Sequence, residues 1–246
     1  MVDNSALDNK IALVTGAGRG FGQATATELA RAGAIVYVTD IDQETSEKSA
    51  EEIKNNTGLE NIFALACDVR NEAQAKEVVE KIVTHHGKID ILINNAGVNV
   101  TATVETLSME EWDRIVSTNL RGQYLMAHLV FPFMKKQKSG NIINISSSLA
   151  KRVKENSPAY VASKWGVLGL SQLLCIQGRE FGIKVTAFSP SGMNTRLLLD
   201  RFPDIDQSKL MDPAEAAKVI RFILELPDSV TIPDIFMMSA SDITWP

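Results

Sequence analysis

A tyrosine and a lysine four residues apart, Tyr160 and Lys164, carry the side chains best suited to acid–base chemistry in this 246-residue chain. The apolar content of residues 159–178 predicts a helix, and residues i and i+4 of a helix share one face. A phenol ordinarily has a pKa of about 10, and a nearby ammonium stabilises the phenolate and lowers that pKa. The pair is suited to passing a proton to or from a substrate oxygen. The alternative is a packed ring beside a solvated charge.

Short apolar runs alternate with helical patterns along the chain. Predicted strands cover residues 11–14, 35–39, 62–67, 89–93, 141–145, 184–188 and 232–238, and predicted helices cover residues 21–32, 43–55, 72–86, 108 to about 131, 159–178 and 213–224. Pro132 is expected to disturb the fourth helix, and residues 190–211 have little regular pattern. Alternation with short connections predicts right-handed βαβ units. The predicted fold class is therefore α/β: a single Rossmann-type doubly wound domain over residues 1–246, with a parallel sheet of about seven strands covered by helices on both faces.

A glycine-rich turn joins the first strand to the first helix, with the sequence Thr15-Gly16-Ala17-Gly18-Arg19-Gly20-Phe21-Gly22. Glycines let the backbone approach a pyrophosphate, and the free N–H groups and dipole of the helix start favour its negative charge. Asp40 ends the second strand about twenty residues later, where a carboxylate can accept hydrogen bonds from a ribose diol. Capping of the next helix is a compatible alternative for Asp40. The turn and the aspartate together predict nucleotide binding.

Asp40 and Arg19 bear differently on the choice of cofactor. A carboxylate at position 40 would lie close to the 2′-phosphate of NADP, and like charges a few ångströms apart repel by several kcal/mol at an effective dielectric constant of about 20. This favours NAD. The Arg19 guanidinium could pair with the same phosphate, so NADP stays open as an alternative. Asp40 weighs more, because a flexible arginine can swing away whereas a carboxylate bonded to the diol excludes phosphate.

With these motifs, the chain resembles the short-chain dehydrogenase/reductase family in its single-domain form. The segment TGAGRGFG matches the family's TGxxxGxG, Asn94-Asn95-Ala96-Gly97 matches its NNAG, and Asn119 matches its helix asparagine. Tyr160 and Lys164 match YxxxK, with Ser147 thirteen residues before the tyrosine. Each motif is loose, but five in order at the family's spacing are specific, and the match extends to about Thr195.

The resemblance implies a role for each matching residue. Tyr160 would be the general acid/base, Lys164 would lower its pKa and hold the nicotinamide ribose, and Ser147 would hydrogen-bond the substrate oxygen. Only its spacing favours Ser147 over its two serine neighbours. Asn119 would interrupt its helix to bind a water that relays protons from Lys164, and the alternative is a merely buried polar side chain. The implied cofactor contacts are Gly16, Arg19, Gly20, Phe21, Gly22, Asp40, Ile41, Asp68, Val69, Asn95, Ala96, Gly97, Tyr160, Lys164, Pro190, Met193 and Thr195, with positions 68 and 69 at the adenine and positions 190, 193 and 195 at the nicotinamide amide.

Two segments depart from the family's pattern. Pro190-Ser191-Gly192 stands where the family usually has Pro-Gly, so the turn there is expected to differ. The usual Asp-Gly-Gly ending is replaced by Val230-Thr231-Ile232-Pro233-Asp234 and a tail closing on Trp245-Pro246. Family members often form dimers and tetramers, so the resemblance implies a homodimer or homotetramer, and the atypical ending bears on the tetramer geometry.

Composition and charge exclude several other classes of protein. The 25 basic and 30 acidic residues give a net charge of −5 and a pI of about 5.3, which argues against nucleic acid or a membrane surface as a partner. The polar start, Met1–Ser5, lacks the pattern of a signal peptide, and the longest apolar run, residues 125–134, is too short to cross a bilayer. We therefore expect a cytoplasmic protein. Cys67 and Cys175 are expected to be buried thiols, and no metal-ligand spacing occurs.

The substrate pocket is expected between the loop after Ser147 and a lid at about residues 191–211. Lys151, Arg152 and Lys154 in the first loop could steer an anionic carbonyl substrate, although a solvated charged loop is the favoured alternative. The predicted function is an NAD(H)-dependent oxidoreductase that interconverts a secondary alcohol and a ketone. One alternative is an NADPH-dependent carbonyl reductase of the 3-oxoacyl type. Another is an NAD(H)-sensing protein without turnover, against which the presence of Ser147 argues.

Overall fold

Seven strands form one sheet in the computed structural model, which describes residues 6–241. They are β1 (Ile11–Thr15), β2 (Ile35–Asp40), β3 (Ile62–Ala66), β4 (Ile91–Asn94), β5 (Gly140–Ile145), β6 (Ile183–Pro190) and β7 (Asp234–Met237). Every pairing is parallel, in the spatial order β3-β2-β1-β4-β5-β6-β7. The predicted fold class and the predicted number of strands are confirmed.

Helices connect the strands and cover both faces of the sheet. They are α1 (Gly20–Arg31), α2 (Gln43–Thr57), α3 (Glu72–His86), α4 (Met109–Val116), α5 (Gly122–Gln137), α6 (Pro158–Gly178), α7 (Arg196–Leu199) and α8 (Pro213–Glu225). One hydrophobic cluster contains Ala12 and Val14 of β1, and the cluster on the opposite face contains Ile11 and Leu13. Alternate residues of a strand point to opposite faces, so a strand buried on both faces has the continuous apolar run seen here.

The carboxyl ends of β1 and β4 lie side by side at the centre of the sheet, since Val14 is paired with Ile93. The chain runs outward from β1 to β3 and then crosses back to β4, so the connections after β1 and β4 leave in opposite directions. A crevice opens where the strand order reverses in this way, and ligands of open α/β sheets bind there. The glycine turn after β1 and the Asn95 segment after β4 both begin at this crevice.

The long helix predicted from residue 108 differs from the structure in two ways. It is divided by a wide π-helical turn, Ser117–Arg121, between α4 and α5. It also continues past Pro132 to Gln137, so the expectation that Pro132 disturbs the helix was wrong. Proline lacks the N–H that would bond to the carbonyl of His128. Both residues lie on the exposed face of α5, where water can bond to that carbonyl instead.

The lid is more regular than its sequence indicates. It contains the short helix α7 and a turn of 3-10 helix at Gln207–Lys209. A backbone bridge between Met193 and Met211 joins its two ends, with the N–H of Asn194 donating to the carbonyl of Met211 at 2.9 Å. The predicted strand limits are also shifted slightly, and β4 begins at Ile91 rather than at Ile89. The tail residues Trp245 and Pro246 lie outside the described residues.

Candidate active site

The glycine turn is held against the segment after β4 by the side chain of Asn95. Its Nδ2 donates to the carbonyl oxygens of Thr15 at 3.0 Å and Gly16 at 2.8 Å. Gly16 has a φ of +59°, and a Cβ there would lie 2.7 Å from the Cα of Ala96. A Cβ on Gly22 would overlap the Asn95 amide and the Gly16 carbonyl. Only glycine fits at these two positions, so the turn has one shape and brings its backbone close to the crevice.

Helix α1 begins with free hydrogen-bond donors. Its N-cap residue, Arg19, makes no side-chain cap, and the first turn contains no acidic residue. The first N–H groups of a helix have no partner within the helix and carry a partial positive charge. The N–H groups of Gly20, Phe21 and Gly22 therefore form a cradle suited to a pyrophosphate. The exposed Arg19 side chain has no polar partner within residues 6–241.

Asp40 stands at the end of β2, close to the glycine turn. Its Oδ2 accepts from the N–H of Gly18 at 3.1 Å, and its Oδ1 accepts from the N–H of Ile41 at 2.9 Å. The carboxylate is thus held in one orientation beside the turn, where a ribose diol next to the pyrophosphate would lie. The helix cap proposed as an alternative is provided by the next aspartate, Asp42, which accepts from the N–H of Thr45.

Asp68 and Val69 follow β3 on the same edge of the sheet. The Asp68 carboxylate is bonded to the guanidinium of Arg70, and this hydrogen bond lowers its pKa below the usual range. The Val69 side chain packs against Gly122, where an added Cβ would lie 2.7 Å from its Cγ2. The carboxylate of Asp68 is bonded to Arg70 and its N–H to the side chain of Gln74, so the adenine contacts of Asp68 and Val69 stay a prediction.

Asn119 lies in the π-helical turn and is fully buried. Its amide bonds the main chain of Val98 in both directions: Nδ2 donates to the carbonyl at 2.9 Å, and Oδ1 accepts from the N–H at 2.8 Å. A Cβ on Gly97 would lie 3.5 Å from the Asn119 Oδ1 and 3.8 Å from the Lys164 Nζ. The predicted interruption of the helix at Asn119 is therefore present, and the asparagine fixes the loop beside Lys164.

Tyr160, Lys164 and Ser147 meet at the carboxyl end of β5. The Tyr160 hydroxyl is hydrogen-bonded to Ser147, and the Lys164 Nζ lies 5.5 Å from the centroid of the Tyr160 ring. Lys164 is 2% exposed as a whole residue, and its Nζ donates to the carbonyl of Ile145 at 2.7 Å. Of the three neighbouring serines, the one chosen by its spacing is the one that contacts the tyrosine.

The two titratable groups have pKa values shifted toward their neutral forms. Burial lowers the pKa of Lys164 from 10.5 to about 7. Burial also raises the pKa of Tyr160, against the opposing effects of the Ser147 hydrogen bond and the positive charge of Arg201. The structure thus adds Arg201 as a cation that lowers the tyrosine pKa, and the effect of Lys164 on that pKa stays a prediction.

Pro190 ends β6, and Met193 and Thr195 begin the lid. The Thr195 N–H donates to the carbonyl of Met193 at 2.8 Å. A Cβ on Gly20 would have the Thr195 Cγ2 as its nearest neighbour, at 3.4 Å. The start of the lid therefore lies over the glycine turn, so these residues stand beside the same crevice as the rest of the predicted cofactor contacts.

Arg201 is the residue of this site that the sequence analysis missed. It lies in the lid, and its guanidinium donates to the hydroxyls of Thr101 at 3.2 Å and Ser157 at 3.0 Å. Burial lowers its pKa, and the nearby Tyr160 opposes this effect. No motif marks this residue, and the lid contains a second arginine, Arg196, so nothing in the sequence singles it out.

The basic loop after Ser147 is partly engaged by other groups. Lys151 forms an ion pair with Asp234, and Arg152 also has a partner. The Lys154 Nζ lies 4.9 Å from the ring centroid of Phe202 in the lid. Lys151 is therefore not simply solvated, as the alternative assumed, but is held by Asp234. Lys154 contacts the lid.

Helix α6 is the one helix within residues 6–241 that is long and apolar enough to cross a membrane. It packs against β6 and α4, and its buried residues include Ser163 and Lys164. We interpret it as a core helix of this α/β fold. Cys67 and Cys175 are free and buried, as predicted. Residues 6–241 contain no group of three or more histidine, cysteine, aspartate or glutamate side chains that could hold a metal ion.

The crevice thus combines an open cradle of backbone N–H groups with a phenol, an ammonium and a hydroxyl. The cradle fits a dinucleotide, and the three side chains fit a reaction that moves a proton at a substrate oxygen. This combination defines a dinucleotide-dependent oxidoreductase.

Comparisons with known proteins agree with this class. The family model for short-chain dehydrogenases matches residues 10–206. A 3-oxoacyl-[acyl-carrier-protein] reductase from Thermotoga maritima is 33% identical over 226 residues, which cover 88% of this chain and 91% of that protein. A D-threitol dehydrogenase from Mycolicibacterium smegmatis is 37% identical over 191 residues, which cover 78% and 73%. The crystal structure of a 3-ketoacyl-(acyl-carrier-protein) reductase from Brucella melitensis, complexed with NADH, matches with a TM-score of 0.86 and 32% identity, covering 96% of this chain and all of that one.

The chain belongs to the short-chain dehydrogenase/reductase family, and the resemblance found in the sequence is confirmed. It is an oxidoreductase that acts on CH–OH groups and the corresponding carbonyls, and it binds a nicotinamide dinucleotide. In such enzymes the cofactor carries the hydride, while the protein supplies orientation and a path for the proton.

Proposed function

We propose that this protein is an NAD(H)-dependent dehydrogenase/reductase that interconverts a secondary alcohol and a ketone, with Tyr160 as the general acid/base. The observation that carries the proposal is the hydrogen bond between Tyr160 and Ser147, beside a buried Lys164, at the carboxyl end of the sheet. Two hydroxyls that meet at one point can both bond a single carbonyl oxygen. Substrates and ligands of open α/β sheets bind at this edge.

The roles of the side chains follow from this geometry. Ser147 donates a hydrogen bond to the substrate oxygen and orients it toward Tyr160. Tyr160 donates its proton to that oxygen during reduction and takes it back during oxidation. Lys164, with a pKa of about 7, can both give and accept a proton near neutral pH, so it can restore the proton of the tyrosine. When bound, the nicotinamide ring supplies or accepts the hydride. A water held near Asn119 would link Lys164 to solvent.

The preference for NAD rests on Asp40. Its carboxylate is fixed beside the glycine turn by two main-chain N–H groups, so it cannot swing away from a 2′-phosphate. At about 4 Å and an effective dielectric constant of about 20, repulsion between two unit charges is about 4 kcal/mol. The similar structures do not favour either cofactor, since the Brucella reductase is described with NADH and a metagenomic short-chain oxidoreductase with NADP.

The test begins with fluorescence titrations of NADH and NADPH, followed by a panel of secondary alcohols and ketones. We expect tighter binding of NADH and turnover of part of the panel. In Tyr160→Phe we expect kcat to fall by about 10³-fold, within the range for loss of a general acid/base, with the Kd for NADH changed by less than about fivefold. The control is Tyr124→Phe, because Tyr124 is an exposed tyrosine on α5. Full turnover in Tyr160→Phe would refute the proposed role.

A second candidate function is an NADPH-dependent reductase of 3-oxoacyl thioesters. It is favoured by the free Arg19 side chain at the cradle and by the two similar reductases. Tighter binding of NADPH than of NADH, lost in Arg19→Leu, would make this candidate the better one. Binding of either cofactor with no turnover of alcohols, ketones or thioesters would favour a sensor.

We also propose that the protein forms homodimers through α5 and α6. These helices expose large apolar side chains, which are Tyr124, Trp165, Leu173 and Ile176. Light scattering of Trp165→Glu should then give a smaller mass than the wild type, while Val104→Glu, in an exposed loop, should not. A homotetramer and a cytoplasmic location remain predictions, as does the absence of nucleic-acid and membrane partners.

A further inference from the structure

The lid residue Arg201 differs from other partly buried arginines of the protein in its ion-pair partners. Three arginines with at most about a third of their side chain exposed each have a carboxylate partner: Arg70 with Asp68, Arg114 with Glu111, and Arg221 with Glu225. Arg201 is also half-buried, but it has no carboxylate partner within residues 6–241. A covered charge without a counter-charge is unfavourable, so an arginine in this position is suited to receive an anion.

The hydrogen bonds of Arg201 fix its orientation and leave donors free. Nε donates to Thr101 in the loop after β4, and Nη2 donates to Ser157 just before α6. A guanidinium has five N–H groups, so three remain: two on Nη1 and one on Nη2. One N–H of Nη1 and one of Nη2 lie side by side along the end edge of the planar group, opposite Nε, and the other Nη1 N–H points away from that edge. A carboxylate can accept two parallel hydrogen bonds from such an edge.

The free edge belongs to the reaction site rather than to the cofactor cradle. Arg201 acts electrostatically on Tyr160, which places its positive charge near the phenol. Its other neighbour, Ser157, is three residues before Tyr160. The 2′-phosphate and pyrophosphate of a dinucleotide would lie at Arg19 and Asp40, at the other end of the crevice. The anion that fits Arg201 is therefore part of the substrate.

The lid adds a second positive charge to this region. The ring of Phe202 has the Arg201 guanidinium 5.0 Å from its centroid and the Lys154 ammonium 4.9 Å from its centroid. The ring of Phe202 thus has two positively charged groups beside it where the lid meets the loop. Attraction of this kind raises the local concentration of an anionic substrate.

We propose that Arg201 binds a carboxylate of the substrate, so that the enzyme interconverts a hydroxy acid and the corresponding oxo acid. This inference rests on the proposed function of the Tyr160 site and names its substrate class. The carboxylate docks on the free edge of Arg201 while the carbonyl oxygen lies between Ser147 and Tyr160. Binding at two points fixes the carbonyl carbon relative to the nicotinamide face, which converts binding energy into orientation.

The experiment compares oxo acids with their neutral esters, using NADH or NADPH, whichever binds more tightly. The pairs are pyruvate, acetoacetate and levulinate with their methyl esters, which place the carboxylate at three distances from the carbonyl. We expect the wild type to prefer at least one acid over its ester by tenfold or more in kcat/KM. In Arg201→Met we expect kcat/KM for that acid to fall by about 100-fold, with the ester changed by less than threefold.

Two further variants sharpen the result. Arg196→Met removes an exposed arginine of the same lid, and we expect every value to stay within twofold. Arg201→Lys keeps the charge without the planar edge, and we expect intermediate activity on the acid. The same acids should raise the melting temperature of the wild-type cofactor complex and should lose this effect in Arg201→Met.

The inference is overturned if the wild type neither prefers nor is stabilised by any acid, or if Arg201→Met keeps the preference. It is also overturned if that variant loses acid and ester equally, since Arg201 would then act only through the lid or through the pKa of Tyr160. In the latter case the ester activity of Arg201→Met would shift to higher pH. A different result tests the proposed function itself. That function is refuted if Tyr160→Phe still reduces ketones and the oxo-acid methyl esters.

Discussion

The glycine turn and the lid face each other across one crevice, but different contacts hold them in place. The turn is fixed through main-chain atoms: Asn95 bonds two of its carbonyls, and Asp40 bonds one of its N–H groups. The lid is fixed to the opposite wall largely by side chains, with Arg201 reaching Thr101 and Ser157. A binding site made from main-chain atoms serves a cofactor shared by a family. A binding site made from side chains can change its substrate preference through single substitutions.

The largest expected effect is on the main-chain side of this comparison. In Gly22→Ala the added methyl overlaps the Asn95 amide and the Gly16 carbonyl, so the turn must shift. We expect the Kd for NADH to rise by about 100-fold or more, and the free energy of unfolding to fall by about 1–3 kcal/mol, as for other overpacked sites.

Gly169→Ala is the matched control for that substitution. A Cβ at Gly169, in α6, would have no neighbour within 4 Å. We expect unchanged cofactor binding, because Gly169 lies on the exposed face of α6 and not in the glycine turn. Titration with NADH measures the Kd of both variants, and urea denaturation measures their free energy of unfolding. Equal binding by the two variants would show that the shape of the turn does not matter.

Lys164 lies in the crevice between the glycine turn and the lid. Its burial lowers the free energy of unfolding by an amount that depends on pH. Its pKa is lowered from 10.5 to about 7 in the folded protein, so between these values the unfolded chain binds a proton that the folded protein lacks. The contribution of this group to the free energy of unfolding therefore rises with pH from about 7 to about 10.5. In cofactor-free Lys164→Met we expect a free energy of unfolding higher than wild type by about 1–3 kcal/mol at pH 7.

This advantage of Lys164→Met should shrink as the pH is raised toward 10. The carbonyl of Ile145 stays satisfied in the variant, because it also accepts from Gln123 at 3.0 Å. Urea denaturation at pH 7 and pH 9.5 provides the measurement, with the exposed Lys48→Met as control. A difference that grows with pH would contradict the assigned direction of the pKa shift.

Asp40→Asn tests the electrostatic part of the cradle. The substitution removes the charge with little change of shape, so we expect the ratio of Kd for NADPH to Kd for NADH to fall by about tenfold or more. Asp42→Asn makes the same change of net charge two residues away and keeps a residue that caps helices well. Fluorescence titrations of both variants with NADH and NADPH, at low and high salt, measure this ratio. A ratio that changes equally in the two variants would assign the effect to net charge.

The smallest expected effect is on the stability of the lid side. Arg201→Met removes two side-chain hydrogen bonds but also removes a covered charge, so we expect the global free energy of unfolding to change by less than about 1 kcal/mol. Hydrogen exchange should quicken within residues 196–210 and stay unchanged in β1 and β4, because local opening need not involve the core. Faster exchange throughout the sheet would show that the lid is part of the cooperative core.

Much of the fold followed from the sequence, because local patterns dictate it. Apolar runs of strand length and amphipathic helices gave the alternation, and the Thr15–Gly22 turn and the Tyr160–Lys164 pair lie in short segments with fixed local geometry. The prediction about Pro132 was wrong because it ignored solvent exposure. Pro132 was expected to disturb its helix, but the carbonyl that it leaves without an N–H partner faces water. The short helix in the lid was missed because four residues carry too weak a pattern to predict.

The sequence by itself determined the family, the seven-stranded sheet and the candidate residues that meet at the carboxyl end of β5, since these depend on contiguous motifs and their spacing. Only the tertiary structure revealed that the charge of Arg201 also acts on Tyr160. Arg201 is 41 positions from that tyrosine along the chain, and no local pattern joins them. The lid folds back against the loop after β4 and the start of α6, which brings the guanidinium near the phenol. Electrostatic effects depend on distance in space and on burial, and for residues far apart in the chain both are set by packing.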